Sequence, residues 1–181
     1  MQCNPYLNPL PGQGEEDAQG QVRVETCVDT RVFNVVLVEP EIPPNTGNIG
    51  RLCLATGSTL HLVKPLGFAL DDRQLLRAGL DYWQEVPVQL WETFEALQRA
   101  QPAGMRYFYL TTKSQRAYYK VRFRENDFLV FGRETKGLPE HLLVANADHC
   151  ITIPMQRTRS LNLATAVAVI LFEAVRQQQA F

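Results

Sequence analysis

The segment Pro44–Arg51 (PNTGNIGR) follows a short apolar run and brings amide, hydroxyl and guanidinium side chains into one stretch. In α/β proteins, the turn that leaves a buried strand and opens a helix is a common ligand site. Gly47 permits close approach to the main chain, and the free N–H groups of a helix start favour an anion. The same residues also fit a capped helix with Arg51 on its surface, and spacing alone does not decide between the two.

A second segment, Phe131–Pro139 (FGRETKGLP), places Gly132 and Gly137 on either side of Glu134. Glycines at the end of a strand indicate a turn with unusual dihedral angles, or one that must let another group come near. Taken alone, this pattern is also typical of an ordinary turn.

The third segment, Ile153–Leu163, contains Arg157 and Arg159. Two arginines in a loop can clamp phosphate. Ser160 or Asn162 can cap the helix that follows, because a side-chain oxygen there accepts from the first N–H groups.

The elements that must position these segments alternate along the chain. Apolar runs predict five strands, at Val32–Val38, Thr59–Val63, Arg106–Leu110, Asp127–Phe131 and His149–Ile153. Helices are expected from Asn45 or Thr46 to Thr56 with Gly57 as the stop, and at Asp71–Ala78, Trp91–Ala100 and Asn162–Gln178. The prolines of Glu39–Pro44 predict extended chain before the first helix. Such alternation predicts an α/β fold with a mostly parallel sheet flanked by helices.

The last predicted helix is apolar over most of its circumference. One face carries Leu163, Val167, Ile170, Leu171 and Ala174, and a second is widened by Ala166, Val169 and Phe172. A helix of this kind needs cover on two sides. We expect a core on one side and a second copy of the chain on the other, the alternative being a central helix buried within one subunit.

The totals limit the class of protein. With 181 residues, 45% of them hydrophobic, the chain fits one domain, which we expect over residues 31–181, after a flexible polar extension over residues 1–30. The four cysteines and three histidines show no metal-ligand spacing, so no metal site is expected. We expect a reduced cytoplasmic location, and no membrane partner because no apolar run reaches the roughly 18 residues of a span. The net charge of −1 hides a basic stretch over Lys113–Arg124, which is compatible with phosphate contacts or with a solvated surface.

Together the three segments resemble the motifs of the trefoil-knotted SPOUT methyltransferases, in the SpoU-like branch, from about Phe33 to Gln177. The similarity is closest to the tRNA wobble-nucleotide 2′-O-methyltransferases of the TrmL/YibK type. It rests on Leu37–Cys53 (LVEPEIPPNTGNIGRLC), Pro65–Asp72 (PLGFALDD), Arg77–Tyr82 (RAGLDY) and Leu110–Lys113 (LTTK).

The resemblance implies a deep C-terminal trefoil knot, a homodimer formed through the last helix, and S-adenosylmethionine as methyl donor, with S-adenosylhomocysteine as product. It implies transfer to a ribose 2′-oxygen in the anticodon loop of tRNA, at the cytidine or uridine in position 34. By position it implies cofactor contacts from Leu110, Gly132, Ile153, Ser160 and Leu161. The implied catalytic residues are Arg51, Asn45, Glu134 and Asn162, and the implied RNA contacts are Lys113, Arg157 and Arg159.

Arg51 matches the family arginine assigned to activating the attacking hydroxyl. Arginine stays protonated at neutral pH, so we expect it to stabilise the developing oxyanion or to position the adjacent phosphate. Two alternatives remain open, an rRNA 2′-O-methyltransferase of the same superfamily and a non-catalytic module that binds S-adenosylmethionine or RNA. A nicotinamide oxidoreductase is disfavoured because its glycine fingerprint is absent.

Overall fold

Six short strands form one parallel sheet in the computed structural model, which describes residues 33–70 and 80–178. They are β1 (Asn34–Val38), β2 (Thr59–Val63), β3 (Val88–Trp91), β4 (Tyr107–Leu110), β5 (Phe128–Phe131) and β6 (Cys150–Ile151). The strand order is β3-β2-β1-β5-β4-β6, and every neighbouring pair is parallel. The prediction of an α/β fold with a mostly parallel sheet is therefore confirmed.

Helices cover both faces of the sheet. They are α1 (Pro43–Thr56), α2 (Phe94–Ala100), α3 (Glu140–Ala145) and α4 (Leu163–Gln178). On one face, α1 and α4 pack in a core with inward side chains of β1 such as Val35 and Leu37. On the other face, α2 and α3 pack over Val36 and Val38. The central strands are apolar on both sides because both of their faces are buried.

Near the edge of the sheet, one strand was not predicted and one predicted helix begins later than expected. Val88–Trp91 forms a sixth strand, and the helix predicted from Trp91 begins only at Phe94. Thr93 sets that start, since its side chain accepts a hydrogen bond from the backbone N–H of Ala96 at 3.1 Å. The strand escaped prediction because β3 is short, lies at the edge and exposes Leu90.

The predicted start of the first helix was also wrong. α1 begins at Pro43, with Ile42 at the N-cap position and no side-chain cap. Proline suits the first turn of a helix because the N–H that it lacks has no intrahelical partner there. The predicted stop is confirmed, since Gly57 closes α1 in the left-handed conformation with φ of 66°.

The fifth predicted strand shrinks to Cys150–Ile151, because the chain before it forms a short 3-10 turn, Ala147–His149. Helix α3 was not predicted, being too short to show a period. The predictions for Asp71–Ala78 and for residues 1–30 lie outside the described residues.

A series of hydrogen-bonded side chains connects three strands of the sheet. His61 of β2 is 2% exposed. Its Nδ1 accepts from Trp91 Nε1 at 3.1 Å, and its Nε2 lies 3.0 Å from Asn34 Oδ1. This arrangement fits the neutral ring with its proton on Nε2. Burial lowers the pKa of His61 to about 4.

Acid is therefore expected to destabilise the fold through His61. The unfolded chain takes up a proton near pH 6.5 and the folded chain only near pH 4, so stability is lost as the pH falls through this range. Between about pH 7.5 and about pH 4.5 the loss attributable to His61 should be about 2–3 kcal/mol. Urea unfolding of the wild type and of His61→Gln, which cannot titrate, measures it. An equal pH dependence in both proteins would contradict this assignment.

Candidate active site

The loops that follow β1, β5 and β6 lie at one edge of the sheet. Because all the strands are parallel, their carboxyl ends share that edge, the usual place for ligands in open α/β sheets. The second and third segments singled out in the sequence lie mostly in the loops after β5 and β6, and the first, Pro44–Arg51, lies in α1, which begins after the loop that follows β1.

The Glu134 carboxylate joins the loop after β5 to the start of α1. Its Oε2 accepts a hydrogen bond from the backbone N–H of Glu41 at 2.8 Å. Its Oε1 accepts from the backbone N–H of Ile42 at 3.2 Å and from Asn45 Nδ2 at 3.0 Å. A carboxylate at the amino end of a helix also complements the helix dipole. α1 has no side-chain cap of its own, and the Glu134 carboxylate accepts from the N–H groups just before the helix instead.

Glu41, just before α1, contacts the loop after β5 in turn. Its Oε2 accepts from the backbone N–H of Thr135 at 3.2 Å and from the hydroxyl of Thr135 at 2.7 Å. Sequence reasoning missed Glu41 and Thr135, whose partners are more than 90 positions away in the chain. The two loops are therefore held together from both sides.

Asn45 links this pair of loops to the last helix. Its Oδ1 accepts from Asn162 Nδ2 at 2.9 Å, and Asn45 itself is 6% exposed. Asn162 Oδ1 accepts from the backbone N–H groups of Ala164 at 2.9 Å and Thr165 at 3.3 Å, so Asn162 is the N-cap of α4. Of the two caps considered in the sequence, Asn162 rather than Ser160 has this role. Asn45, Glu134 and Asn162 thus form one hydrogen-bonded chain.

The loop that carries Glu134 closes on itself. Arg133 and Gly137 exchange two backbone hydrogen bonds, at 3.2 and 2.9 Å, and Gly137 has φ of +69°. A Cβ on Gly132 would lie 2.1 Å from the carbonyl carbon of Gly137 and 2.2 Å from the nitrogen of Leu138. Both glycines are therefore required by the backbone. Arg133 also forms an ion pair with Glu39.

Three of the expected cofactor residues end neighbouring strands. Leu110 is the last residue of β4, Gly132 follows β5 directly, and Ile153 lies two positions beyond β6. Leu110 pairs in register with Ile151. Ser160 and Leu161 lie in the loop before α4, and both are exposed. The strand ends thus offer main-chain groups and partly buried apolar side chains.

Arg51 lies outside the hydrogen-bonded series Glu134–Asn45–Asn162. It is exposed and lies six positions beyond Asn45, about 9 Å along the axis of α1. Its guanidinium carbon is 5.3 Å from the centroid of the Tyr82 ring, a cation–π arrangement. The 3-10 turn Leu80–Gln84 docks closely on α1, since a Cβ on Gly50 would lie 2.7 Å from the Trp83 ring. Within residues 33–70 and 80–178, Arg51 has no ion-pair partner.

The expected RNA-binding cations differ in their surroundings. Lys113 Nζ lies 3.3 Å from Glu140 Oε1, both side chains being largely exposed. Arg157 and Arg159 are exposed in the loop before α4, and neither forms an ion pair with another described residue. The described residues contain no group of three or more potential metal ligands. None of the described helices is long and apolar enough to cross a membrane.

One family model matches most of the chain. The SpoU rRNA Methylase family model matches residues 32–172. A tRNA (cytidine(34)-2′-O)-methyltransferase of Methylovorus glucosotrophus is 52% identical over 148 residues, covering 81% of this chain and 96% of that protein. The protein of the same name in Escherichia coli is 49% identical over 148 residues, covering 81% and 94% respectively.

Solved structures agree. One, described as "Structural insights into the 2-OH methylation of C/U34 on tRNA", has a TM-score of 0.79 at 46% identity and covers 82% of this chain and 97% of that one. An AdoMet-bound rRNA methyltransferase from Sinorhizobium meliloti has a TM-score of 0.72 at 28% identity, covering 82% of this chain and 57% of that one.

Replacing Glu134 by Gln should lower the free energy of unfolding. A neutral amide has one acceptor oxygen and turns an NH₂ group toward N–H donors. At least one charge-assisted hydrogen bond is lost, at a cost of about 1.5–3 kcal/mol. Urea unfolding measures the cost, with Lys136→Gln in the same loop as the control. Equal stability of the two variants would count against the role of this carboxylate.

Proposed function

The chain belongs to the SpoU methylase family, and on that premise we propose that it is a tRNA 2′-O-methyltransferase. It transfers a methyl group from S-adenosylmethionine to the ribose of the wobble nucleotide, the cytidine or uridine at position 34. The observation that carries the proposal is the hydrogen-bonded series Glu134–Asn45–Asn162, which joins the loop after β5, helix α1 and the start of α4 at the carboxyl edge of the sheet. Relatives about 50% identical over most of the chain bear this activity in their names.

The carboxyl ends of β4, β5 and β6 suit this cofactor. Leu110, Gly132 and Ile153 would hold it there, together with Ser160 and Leu161 from the loop before α4. A donor set of main-chain groups and apolar side chains fits a nucleoside that carries no phosphate. When bound, S-adenosylmethionine supplies a methyl group on a positively charged sulfur, and S-adenosylhomocysteine is the product.

The residues of the candidate site fall into those that position the loops and those that can contact the substrate. The amide groups of Asn45 and Asn162 already have protein partners, as does the Glu134 carboxylate. We therefore propose that these three are positioning residues, which fix the loops around the cofactor and the nucleotide. Alignment of reacting groups can supply about 7–11 kcal/mol in favourable cases.

Arg51 is the candidate for contact with the reacting ribose. Its exposed guanidinium can donate to the developing 2′-oxyanion or to the adjacent phosphate. It stays protonated, so the hydroxyl proton leaves to phosphate or water rather than to Arg51.

The proposal includes a C-terminal trefoil knot within a single domain over residues 31–181. After β6 at the edge of the sheet, the chain returns across β4 and β5 to pack α4 against α1. Asn162 is then hydrogen-bonded to Asn45, and Gln177 to the segment before β5. Such a return path supports threading of the C-terminal segment through a loop.

The proposal also includes a homodimer in a reducing cytoplasm, with tRNA as the partner. Phe172 on α4 is 37% exposed, and Ala168 and Val169 beside it are only partly buried. This apolar surface supports contact with a second copy of the helix.

Cys53 and Cys150 are buried free thiols, which fits a reducing compartment.

Incubation with methyl-labelled S-adenosylmethionine and total tRNA tests the activity. Label should appear as a 2′-O-methyl group at position 34 of tRNAs with cytidine or uridine there, and tRNAs with a wobble purine serve as the control. Label confined to rRNA would favour the rRNA alternative. Cofactor binding without transfer to any RNA would favour a non-catalytic module.

Arg51→Ala should lower the rate constant by about 100–1,000-fold, since loss of one preorganised donor costs about 2.7–4 kcal/mol. Tyr82→Leu should lower it about two- to fivefold, because an exposed cation–π contact contributes about 0.5–1 kcal/mol. Tyr82→Phe keeps the ring and should match the wild type. Single-turnover methylation at saturating tRNA measures all three. Transfer by Arg51→Ala at about the wild-type rate would refute the assignment.

A further inference from the structure

Positive charge is concentrated in one segment of a chain that is acidic overall. The twelve residues Lys113–Arg124 (KSQRAYYKVRFR) include five of the 18 lysines and arginines and no acidic residue, although the net charge is −1. Three of these cations, Lys120, Arg122 and Arg124, are exposed and make no ion pair with any other described residue. We call these three side chains the ridge.

The ridge results from an alternating pattern. Val121 and Phe123, which separate its members, are 4% and 1% exposed. Alternate burial is the signature of extended chain, in which every second side chain points the same way. Arg122 and Arg124 therefore lie about 6.5 Å apart on one side of the extended segment. This interval is comparable to that between successive phosphates of an RNA strand. Lys120 ends the 3-10 turn Tyr118–Lys120 directly before the extended segment, and the extended Val121 separates Lys120 from Arg122.

The backbone beneath the ridge is fixed by side chains from elsewhere. Gln177 donates to the carbonyl of Val121 at 3.0 Å and accepts from the N–H of Phe123 at 2.9 Å. Arg106 donates to the carbonyl of Arg122 at 2.9 Å, and the Asp127 carboxylate accepts from the N–H of Arg124 at 2.7 Å. A fixed backbone presets the positions of the cations, so less freedom is lost when a ligand binds.

The ridge leads away from the candidate active site. Just before it, Ala117 bridges to Thr152 and the N–H of Tyr118 donates to the carbonyl of Thr152 at 2.9 Å. Thr152 precedes Ile153, one of the expected cofactor contacts. The far end of the ridge, at Arg124, is tied to Asp127, immediately before β5 begins. The cations thus extend from the carboxyl edge of the sheet toward its amino edge.

An exposed aromatic ring stands at the start of this path. Tyr119 is 58% exposed, and the adjacent Tyr118 ring meets it edge-on, with centroids 5.4 Å apart. An exposed ring beside cations is the combination that proteins use to stack an unpaired base while holding its phosphate.

We propose that the ridge binds the phosphates of the RNA strand that flanks the target nucleotide, with Tyr119 stacking on one of its bases. This inference rests on the proposed function and extends it to the way in which the substrate is held. A merely solvated surface requires neither the anchored backbone nor the exposed ring.

The test replaces Lys120, Arg122 and Arg124 together by Gln. The KM for tRNA should rise about tenfold or more, and the rate at saturating tRNA should stay unchanged. The slope of log affinity against log salt should fall by about 2 to 3, since each phosphate contact contributes about 0.7–0.9. The single variants Arg122→Gln and Arg99→Gln change charge equally, and only the first should lower the slope. Arg99 lies on α2, against the other face of the sheet.

An unchanged KM and salt slope in the triple variant would overturn the proposal. So would a change of oligomeric state in sedimentation with RNA affinity intact, because the ridge would then be an interface between copies. If the wild type methylates no tRNA, the proposed function fails by itself. The salt slope of RNA binding, measured without cofactor, still decides whether the ridge binds RNA.

Discussion

One carboxylate ties together the edge of the sheet at which chemistry can occur. Glu134 accepts hydrogen bonds from two backbone N–H groups ahead of α1 and from the Asn45 amide, whose oxygen in turn accepts from Asn162. The loop after β5, the start of α1 and the start of α4, which are distant in the chain, therefore share one set of donors and acceptors. Their mutual arrangement depends on these hydrogen bonds, of which those to the Glu134 carboxylate are charge-assisted and most are partly buried.

This arrangement separates the residues that position the loops from the residue that can contact the substrate. Asn45, Glu134 and Asn162 have their polar groups satisfied by the protein and are poorly suited to take part in bond changes. Arg51 is exposed on a neighbouring part of α1, where its guanidinium lies over the face of the Tyr82 ring. An aromatic face orients a guanidinium without using its N–H donors, so those donors remain available for oxygen ligands.

Much of the sheet could be predicted because its central strands are predominantly apolar. The runs that became β1, β2, β4 and β5 are read directly, whereas β3 is a short edge strand with an exposed leucine and no clear alternation. Resemblance to a family predicted that Glu134, Asn45 and Asn162 belong to one site. Their hydrogen bonds could not be predicted from the sequence, because they join residues about 90 to 117 positions apart. The start of α1 was misjudged for a local reason. A preference for asparagine as a cap competed with a proline that fits the first turn, and the Asn45 amide was needed elsewhere.

Asn162 has two partners with different requirements, the first turn of α4 and the oxygen of Asn45. The site is therefore complete only when the last helix has been made and docked. Until α4 docks, Asn45 lacks the donor that Asn162 supplies, and the core lacks the buried side chains of α4. The arrangement of the candidate site thus depends on the part of the chain that the ribosome makes last.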